Sequence, residues 1–177
     1  MIGTTRTAMS RAGMLAIRPL RRGETEIVES IFGRLGSRSR TLRFGGAKAL
    51  LSASELEALA DVGERRHAVV AFVAGDWAPA GIARFVVDAD DRSIADVAIA
   101  VVDEHHGRGI GKALMRALVA DARAAGVERL RATIAGENRR SLALLRGVTT
   151  FEDVRFDAGS IEVLAAIPSP ARMLRAA

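Results

Sequence analysis

The chain has 177 residues, a length that suits one domain with a single hydrophobic core. An apolar content of 49% argues against disorder, no apolar run is long enough to span a membrane, and the absence of cysteine excludes disulfides and Cys zinc sites. The formal charge of +5 comes almost wholly from arginine, but aromatic residues make up 4% and are not interleaved with the basic ones, so an anionic small molecule explains the charge better than nucleic acid.

Hydrophobic periodicity divides the chain into strands and helices. Ser52 and Glu55 have the spacing of a capping box, which predicts a helix that starts there. Gly126 suits the left-handed residue that ends a helix. In chain order we expect a flexible polar tail over 1–13, a strand over 14–17, a helix over 23–35, a basic segment over 37–44, a helix over 52–61, strands over 67–74, 80–87 and 94–102, a helix over 110–125, a strand over 128–134, a helix over 138–148, a strand hairpin over 151–156 and 161–166, and a surface tail over 168–177.

The centre of the chain is a strand, a glycine-rich loop and a helix. Val97, Ile99 and Val101 alternate with smaller residues before the loop, and the helix from Ile110 carries apolar residues at helical spacing after it. The loop between them holds three glycines in five residues, from Gly107 to Gly111. Backbone N–H groups of such a loop and of the helix N-terminus form a binding site for phosphate or pyrophosphate.

Two common phosphate motifs do not match this loop. A Walker A motif needs Ser or Thr after its lysine, but Lys112 is followed by Ala113. A dinucleotide fingerprint needs a different glycine spacing from that of Gly107, Gly109 and Gly111. A glycine loop that joins a strand to a helix without any ligand is the remaining alternative on spacing alone.

The run His106-Gly107-Arg108-Gly109-Ile110-Gly111 resembles the acetyl-CoA signature of the GNAT superfamily of N-acetyltransferases, Gln/Arg-x-x-Gly-x-Gly/Ala, with His106 in place of the first residue. Downstream, Glu137-Asn138 opens a helix after a strand, as in the second CoA-contacting segment of that family. Upstream, Pro19-Leu20-Arg21, Arg34-Leu35 and residues 39–44 are similar to the bacterial protein lysine acetyltransferase branch. The resemblance covers about residues 14–167, which we expect to be one acetyltransferase domain.

The resemblance implies a GNAT fold of class α/β. A mixed central sheet of about six to seven strands would be flanked by helices, and two parallel central strands would splay apart around the pantetheine arm of acetyl-CoA. Metal plays no part in this expectation. The residues that the resemblance assigns to the cofactor are Ile99, Ala100, Val101, Gly107, Arg108, Gly109, Ile110, Gly111, Lys112 and Asn138.

Acetyl transfer to an amine requires an acceptor for the amine proton, because free lysine has a pKa of ~10.4. The resemblance points to Asp96, where many protein lysine acetyltransferases of this branch have Glu. A strand carboxylate paired with an arginine is the alternative interpretation of Asp96. Glu104, His105 and His106 are alternative bases, although the histidines lie in the phosphate loop and could instead position it.

The sequence departs from the family at the group that protonates the leaving thiolate. Many members use a tyrosine on the helix after the asparagine, but this chain has no tyrosine and the matching position is Leu145. Water, the exposed thiolate itself or Ser141 could take over this role. The helix also ends with Gly147-Val148-Thr149-Thr150 in place of the usual Gly-Phe.

We therefore predict an acetyl-CoA-dependent N-acetyltransferase that acts on a primary amine, with a protein lysine favoured. The alternatives are an acyl-CoA-binding module with little or no catalysis and a small-molecule amine acetyltransferase. The expected location is the cytoplasm, since residues 1–13 lack the apolar core of a secretory signal. The expected partners are acetyl-CoA and the amine, without membrane or nucleic acid, and a homodimer is left open.

Overall fold

The computed structural model describes residues 4–46 and 48–168. Within them the chain forms one eight-stranded sheet and five α-helices. The strands are β1 (Arg6–Ser10), β2 (Gly13–Pro19), β3 (Arg66–Val73), β4 (Pro79–Val87), β5 (Ile94–Val101), β6 (Arg129–Ala135), β7 (Thr150–Asp157) and β8 (Ser160–Ala166). The helices are α1 (Thr25–Gly33), α2 (Ser37–Phe44), α3 (Ala53–Ala60), α4 (Ile110–Ala124) and α5 (Arg139–Arg146). None of these helices is long and apolar enough to cross a lipid bilayer.

The sheet is mixed, and its strands follow the order β1-β2-β3-β4-β5-β6-β8-β7. All neighbours are antiparallel except β5 and β6, which are joined by α4 as a crossover and run parallel. The predicted α/β architecture is confirmed, and the sheet has one strand more than the upper end of the predicted range. The predicted helices and strands are present, and the capping box at Ser52 and Glu55 forms in both directions.

The N-terminal segment differs from the prediction of a flexible tail over residues 1–13. Residues 6–10 form β1, an edge strand that pairs along its whole length with β2. Arg6 extends from β1 to α4, where it donates to the Ala117 carbonyl and to the Asp121 carboxylate. These partners are more than a hundred positions away in the sequence, so the local composition gives no sign of the strand. Residues 1–3, and the predicted C-terminal tail after Pro168, lie outside the described residues.

The parallel strands β5 and β6 separate partway along their length. Their ladder joins Ile94 to Arg129, Ala95 to Leu130 and Asp96 to Arg131, and it stops there. β5 continues to pair with β4 on its other side, and β6 continues with β8. The β6-facing edge of residues 97–101 therefore has no strand partner, which confirms the predicted splay.

The two faces of the sheet pack against different helices. On one face α4 buries Leu114 and Leu118 completely, and on the other face α1 and α3 cover the sheet around Val70. Full burial of one such side chain contributes about 1.5–3 kcal/mol to stability. Because both faces are covered, the opening between β5 and β6 is a fixed gap in an otherwise well-packed sheet.

Candidate active site

A cleft of about 1100 Å³ occupies the opening between β5 and β6. Its walls come from β5 and β6, from the glycine loop and the start of α4, from α5, and from α2. Of the ten residues that the sequence assigns to the cofactor, nine line this cleft: Ile99, Ala100, Val101, Gly107, Gly109, Ile110, Gly111, Lys112 and Asn138. Arg108 is exposed and does not line it, and its backbone carbonyl accepts a hydrogen bond from the Arg11 N–H at 3.0 Å.

The glycine loop presents free backbone donors at one end of the cleft. Gly107 and Gly109 have φ angles of 74° and 87°, in the left-handed region that glycine adopts without strain. Gly109 is the N-cap of α4 and no side chain caps the helix, whose first internal bond runs from the Ala113 N–H to the Gly109 carbonyl at 3.1 Å. The N–H groups of Ile110 and the next two residues therefore have no partner within the helix and suit an anion.

Gly111, the third glycine of the loop, lies close to α5 and to the end of β5. A Cβ at this position would lie 3.3 Å from Leu144 on α5 and under 4 Å from Val101 and Ile99 on β5. The glycine therefore lets α4 pack closely against α5 and the end of β5, which keeps the free N–H groups next to the opening. The donors and the lack of a capping side chain fit the pyrophosphate of acetyl-CoA.

His106, which replaces the usual first residue of the signature, fixes the loop to the end of β5. Its Nε2–H donates to the Val101 carbonyl at 2.8 Å. This contact corresponds to the interpretation in which the histidine positions the loop. A single side chain thus joins the strand that borders the cleft to the loop that provides its anion site.

Asp96 lies just outside the cleft and is held by Arg131. The guanidinium donates from Nε to Oδ1 at 2.7 Å and from Nη2 to Oδ2 at 2.9 Å. Arg131 also donates to Asp88 at 2.7 Å, and these two partners raise the pKa of Arg131. Asp96 does not line the cleft, but it is about half exposed and faces the same side of β5 as Ala98, which does.

His105 is the buried histidine of the loop. Its side chain is 8% exposed, and among the described residues neither ring nitrogen has a hydrogen-bond partner. Nε2 lies 3.7 Å from a carboxylate oxygen of Asp76 and 3.7 Å from one of Glu104. These three residues have the donor types of a cation site. The guanidinium of Arg34 already donates to Glu104, lies 3.8 Å from Asp76, and lowers the pKa of Glu104 through this hydrogen bond.

Asn138 is the N-cap of α5, and Leu145 lies in that helix. The Asn138 side-chain oxygen accepts from the Ser141 N–H at 3.1 Å, so Asn138 caps the helix and lines the cleft at the same time. Leu145 is buried at the position where many family members have tyrosine, and Ser141 also lines the cleft. Thr149 donates its hydroxyl to the Leu145 carbonyl at 2.7 Å, which closes the unusual end of this helix.

The structure adds residues to the site that the sequence does not name individually. The basic segment over residues 37–44 is α2, and Arg38, Ser39, Leu42 and Arg43 from it line the cleft. Arg84 on β4 lines a neighbouring pocket together with Arg43. These two arginines are 41 positions apart and belong to different elements, so no local pattern could have indicated their proximity.

Comparison with known proteins agrees with this geometry. The model of the acetyltransferase (GNAT) family matches residues 41–148, and the chain belongs to this family. Acetyltransferase Pat of Mycolicibacterium smegmatis is 36% identical over 103 residues, which are 56% of this chain and 31% of that protein. The chain thus matches about a third of the length of this curated relative.

Two solved structures show the same fold. The GNAT domain of S. lividans PAT superposes with a TM-score of 0.82 at 21% identity, over 92% of this chain and 97% of that one. A putative acetyltransferase from Salmonella typhimurium, yncA, solved with its cofactor acetyl-CoA, superposes with a TM-score of 0.68 at 18% identity, over 86% of this chain and 92% of that one. The GNAT fold predicted from the sequence is therefore confirmed.

Proposed function

We propose that this protein transfers an acetyl group from acetyl-CoA to a primary amine. The observation that carries the proposal is the continuous cleft itself, with an anion site of free N–H groups at one end, an unpaired strand edge along its middle, and α2 beside it. Acetyl-CoA has a pyrophosphate, an extended arm with amide groups and a terminal thioester. The pyrophosphate would bind at the anion site, the arm would lie along the strand edge, and the thioester would follow further along that edge. Binding of acetyl-CoA in the related yncA structure supports the same choice of cofactor.

The unpaired edge of β5 would hold the arm and polarise the thioester. Beyond Asp96 the backbone groups on this edge have no ladder partner among the described residues. Ile99 and Val101 would provide the N–H donors of this stretch. The Ala100 N–H instead points toward β4, like the Val102 N–H that donates to the Ala80 carbonyl at 3.0 Å. Fixed donors directed at the thioester oxygen stabilise the negative charge that develops there as the amine attacks. Loss of one such donor in other enzymes costs about 10²–10³-fold in kcat.

For the amine proton we propose Asp96 as acceptor, through water. Its carboxylate is about half exposed on the side of β5 that carries Ala98, so water can reach it from the cleft. Arg131 donates one hydrogen bond to each carboxylate oxygen, and each oxygen keeps a lone pair beyond the one that Arg131 uses. The competing candidate is His105, which lines the cleft and whose ring nitrogens have no hydrogen-bond partner among the described residues. Its Nε2 lies 3.7 Å from a carboxylate oxygen of Asp76 and 3.7 Å from one of Glu104.

The leaving thiolate would take its proton from water or from Ser141. Leu145, at the position where related enzymes have tyrosine, has no proton to give, and Ser141 is one turn away on the same helix wall. An acyl-CoA-binding module with weak catalysis is the second candidate function, and buried Leu145 is the observation that favours it.

Two observations bear on the acceptor. The sequence resemblance to protein lysine acetyltransferases and the match to acetyltransferase Pat support a protein lysine. In addition, α2 lines the cleft with two arginines, Arg38 and Arg43, which an incoming side chain of another protein would contact.

The proposal is tested by following thiol release from acetyl-CoA in the presence of small amines, lysine peptides and protein lysates, with acetyl-CoA binding measured separately by calorimetry. We expect binding, and thiol release that depends on an added amine. Binding without amine-dependent thiol release would favour the module, and no binding would contradict both candidates.

A further inference from the structure

A small pocket adjoins the cleft beneath α2. Arg43, Ala98 and Ala100 line both spaces, so the pocket opens beside the strand that would hold the thioester. Its other walls are mostly apolar and come from the α1 and α3 side of the sheet. The free volume is about 30 Å³, enough for about two water-sized groups and therefore for a carboxylate.

Two arginines line this pocket, and among the described residues no carboxylate lies within ion-pair distance of either. The Arg43 guanidinium lies 4.9 Å from the centroid of the Phe44 ring, and the negative charge of Asp61 acts on Arg84 from beyond ion-pair distance. Arg43 extends from α2 and Arg84 from β4, and within the described residues neither forms an ion pair or a side-chain hydrogen bond. The other partly buried arginines of the described chain each donate to a carboxylate, a hydroxyl or a backbone carbonyl; they are Arg6, Arg18, Arg34, Arg40, Arg123, Arg129 and Arg131. Arg43 and Arg84 are therefore exceptions to the way this protein satisfies its arginines.

This arrangement has a cost in the free protein. Burial, and then the positive charge of Arg84, lower the pKa of Arg43 to about 10. Burial also lowers the pKa of Arg84. Two like charges in a partly apolar pocket stabilise the protein less than a neutral pair would, whereas a bound anion would compensate both. A carboxylate matches the planar guanidinium with two parallel hydrogen bonds.

We infer that Arg43 and Arg84 select an acceptor that carries a carboxylate near the amine that is acetylated. The inference rests on the proposed function and defines its substrate class. The amine would enter the cleft beside Ala98 and Ala100, the carboxylate would lie between the two guanidinium groups, and the connecting methylene groups would contact the apolar wall. Such an acceptor is either a free amino acid or a lysine peptide with an acidic residue next to the lysine.

Matched acceptors test the inference. ω-Amino acids from β-alanine to 6-aminohexanoate are compared with their uncharged primary amides, and lysine peptides with neighbouring Glu are compared with the same peptides carrying Gln. Because hydrogen bonds to charged groups contribute about 1.5–3 kcal/mol, we expect the carboxylate to raise kcat/KM by about tenfold or more in at least one series. The series that shows the preference identifies the source of the carboxylate.

Variants show whether the two arginines cause the preference. Arg43→Gln and Arg84→Gln should each remove most of the kcat/KM ratio between acid and amide, and Arg43→Lys should keep part of it. Arg84 does not line the cleft, so Arg84→Gln should keep acetyl-CoA affinity within about twofold. Arg155→Gln is the matched control, since Arg155 is an exposed arginine on β7 paired with Asp153 and does not line the cleft. The inference is overturned if the parent protein has the same kcat/KM for acid and amide in every series. It is also overturned if both Gln variants keep the parent's kcat/KM ratio between acid and amide.

A binding measurement separates this inference from the proposed function. Calorimetry with CoA present compares 6-aminohexanoate with 6-aminohexanamide on the parent and on Arg43→Gln, and needs no turnover. Preferential binding of the acid by the parent, lost in the variant, would support the anion site even if no acceptor were acetylated. Equal binding of the two compounds by the parent, together with turnover of neutral amines, would overturn the anion site and leave the acetyltransferase intact.

Discussion

Arg131 binds both carboxylate oxygens of Asp96, at 2.7 and 2.9 Å, at the last rung of the ladder between β5 and β6. The pair therefore lies where the two strands begin to separate. It is compatible with both interpretations of Asp96 that the sequence leaves open, because the carboxylate is paired with an arginine and also lies on the same side of β5 as Ala98, which lines the cleft. Two substitutions can distinguish a base from a structural pair.

The first prediction is that Asp96→Asn lowers turnover by about 10²-fold while acetyl-CoA affinity is unchanged, because the amide retains the size of the carboxylate but cannot accept the proton. Arg131→Gln breaks the same pair but leaves the carboxylate, so its turnover should stay within a few-fold of the parent. Both are measured by steady-state thiol release and calorimetry. Equal losses in the two variants would mean that the pair acts by positioning the strands. Parent-like turnover of Asp96→Asn, with a large loss in His105→Gln, would assign the base to His105.

The second prediction concerns the anion site. Gly109→Asp should abolish measurable acetyl-CoA binding, because it adds a carboxylate and a Cβ where the backbone has φ of 87° and the helix presents its free N–H groups. Gly126→Asp is the matched control, since Gly126 follows the other end of α4 with φ of 85°. Both variants should lose stability, but Gly126→Asp should still bind in calorimetry. Unchanged affinity in Gly109→Asp would contradict the assignment.

The third prediction separates the two roles of Asn138. Its side-chain oxygen caps α5 through the Ser141 N–H, and the same residue lines the cleft. Asn138→Ser keeps a capping oxygen on a shorter side chain, so Tm should hold while acetyl-CoA affinity falls. Asn138→Ala should lower both Tm and acetyl-CoA affinity, and the missing cap should lower the free energy of unfolding by about 1 kcal/mol. If the serine variant binds as tightly as the parent, Asn138 is only a cap.

The fourth prediction concerns the buried carboxylate that anchors β1. Asp121 is 2% exposed and accepts hydrogen bonds from Arg6 on β1 and from His67 on β3, the latter at 2.9 Å. Asp121→Asn leaves Arg6 without its counter-charge and His67 without a carboxylate acceptor, and should lower the free energy of unfolding by about 3 kcal/mol at neutral pH. Asp153→Asn, which removes an exposed pair with Arg155, should cost less than about 1 kcal/mol in the same urea titration.

The pH dependence of this effect follows from the pKa of Asp121. Burial raises that pKa, but the hydrogen bonds from His67 and Arg6 outweigh burial and hold it below its ordinary value. A carboxyl whose pKa is lowered by folding stabilises the protein above its unfolded pKa of ~3.9, and this contribution is lost as the pH falls through the folded value. The stability difference between parent and Asp121→Asn should therefore be constant above about pH 5 and shrink in acid. A difference that grew on acidification would contradict the assignment.

The sequence predicts the parts of the site that depend on neighbouring residues. The glycine spacing, the strand before it and the helix after it are local patterns, and nine of the ten residues named for the cofactor line one cleft. Arg108 is the exception, because a residue between two left-handed glycines can point either toward the ligand or away from it. The helix caps at Ser52 and Asn138 are likewise local, and both form.

The parts that sequence reasoning misses depend on long-range contacts. β1 is stabilised by pairing with β2 and by the contact of Arg6 with Asp121, 115 positions away. The approach of Arg43 to Arg84 depends on how α2 packs against β5 and β6, which no periodicity encodes. The partner of Asp96 depends on the register of a parallel pair whose strands are connected through a 15-residue helix.

The most direct test of acetyl transfer is mass spectrometry of the acceptor after incubation with acetyl-CoA, comparing the parent protein with Gly109→Asp and with the Gly126→Asp control. We expect the amine to gain one acetyl group with the parent and the control, in amounts equal to the CoA released, and we expect no product above background with Gly109→Asp. Acetyl-CoA that binds to the parent while every amine and protein tested stays unmodified would contradict the acetyltransferase and leave a CoA-binding module.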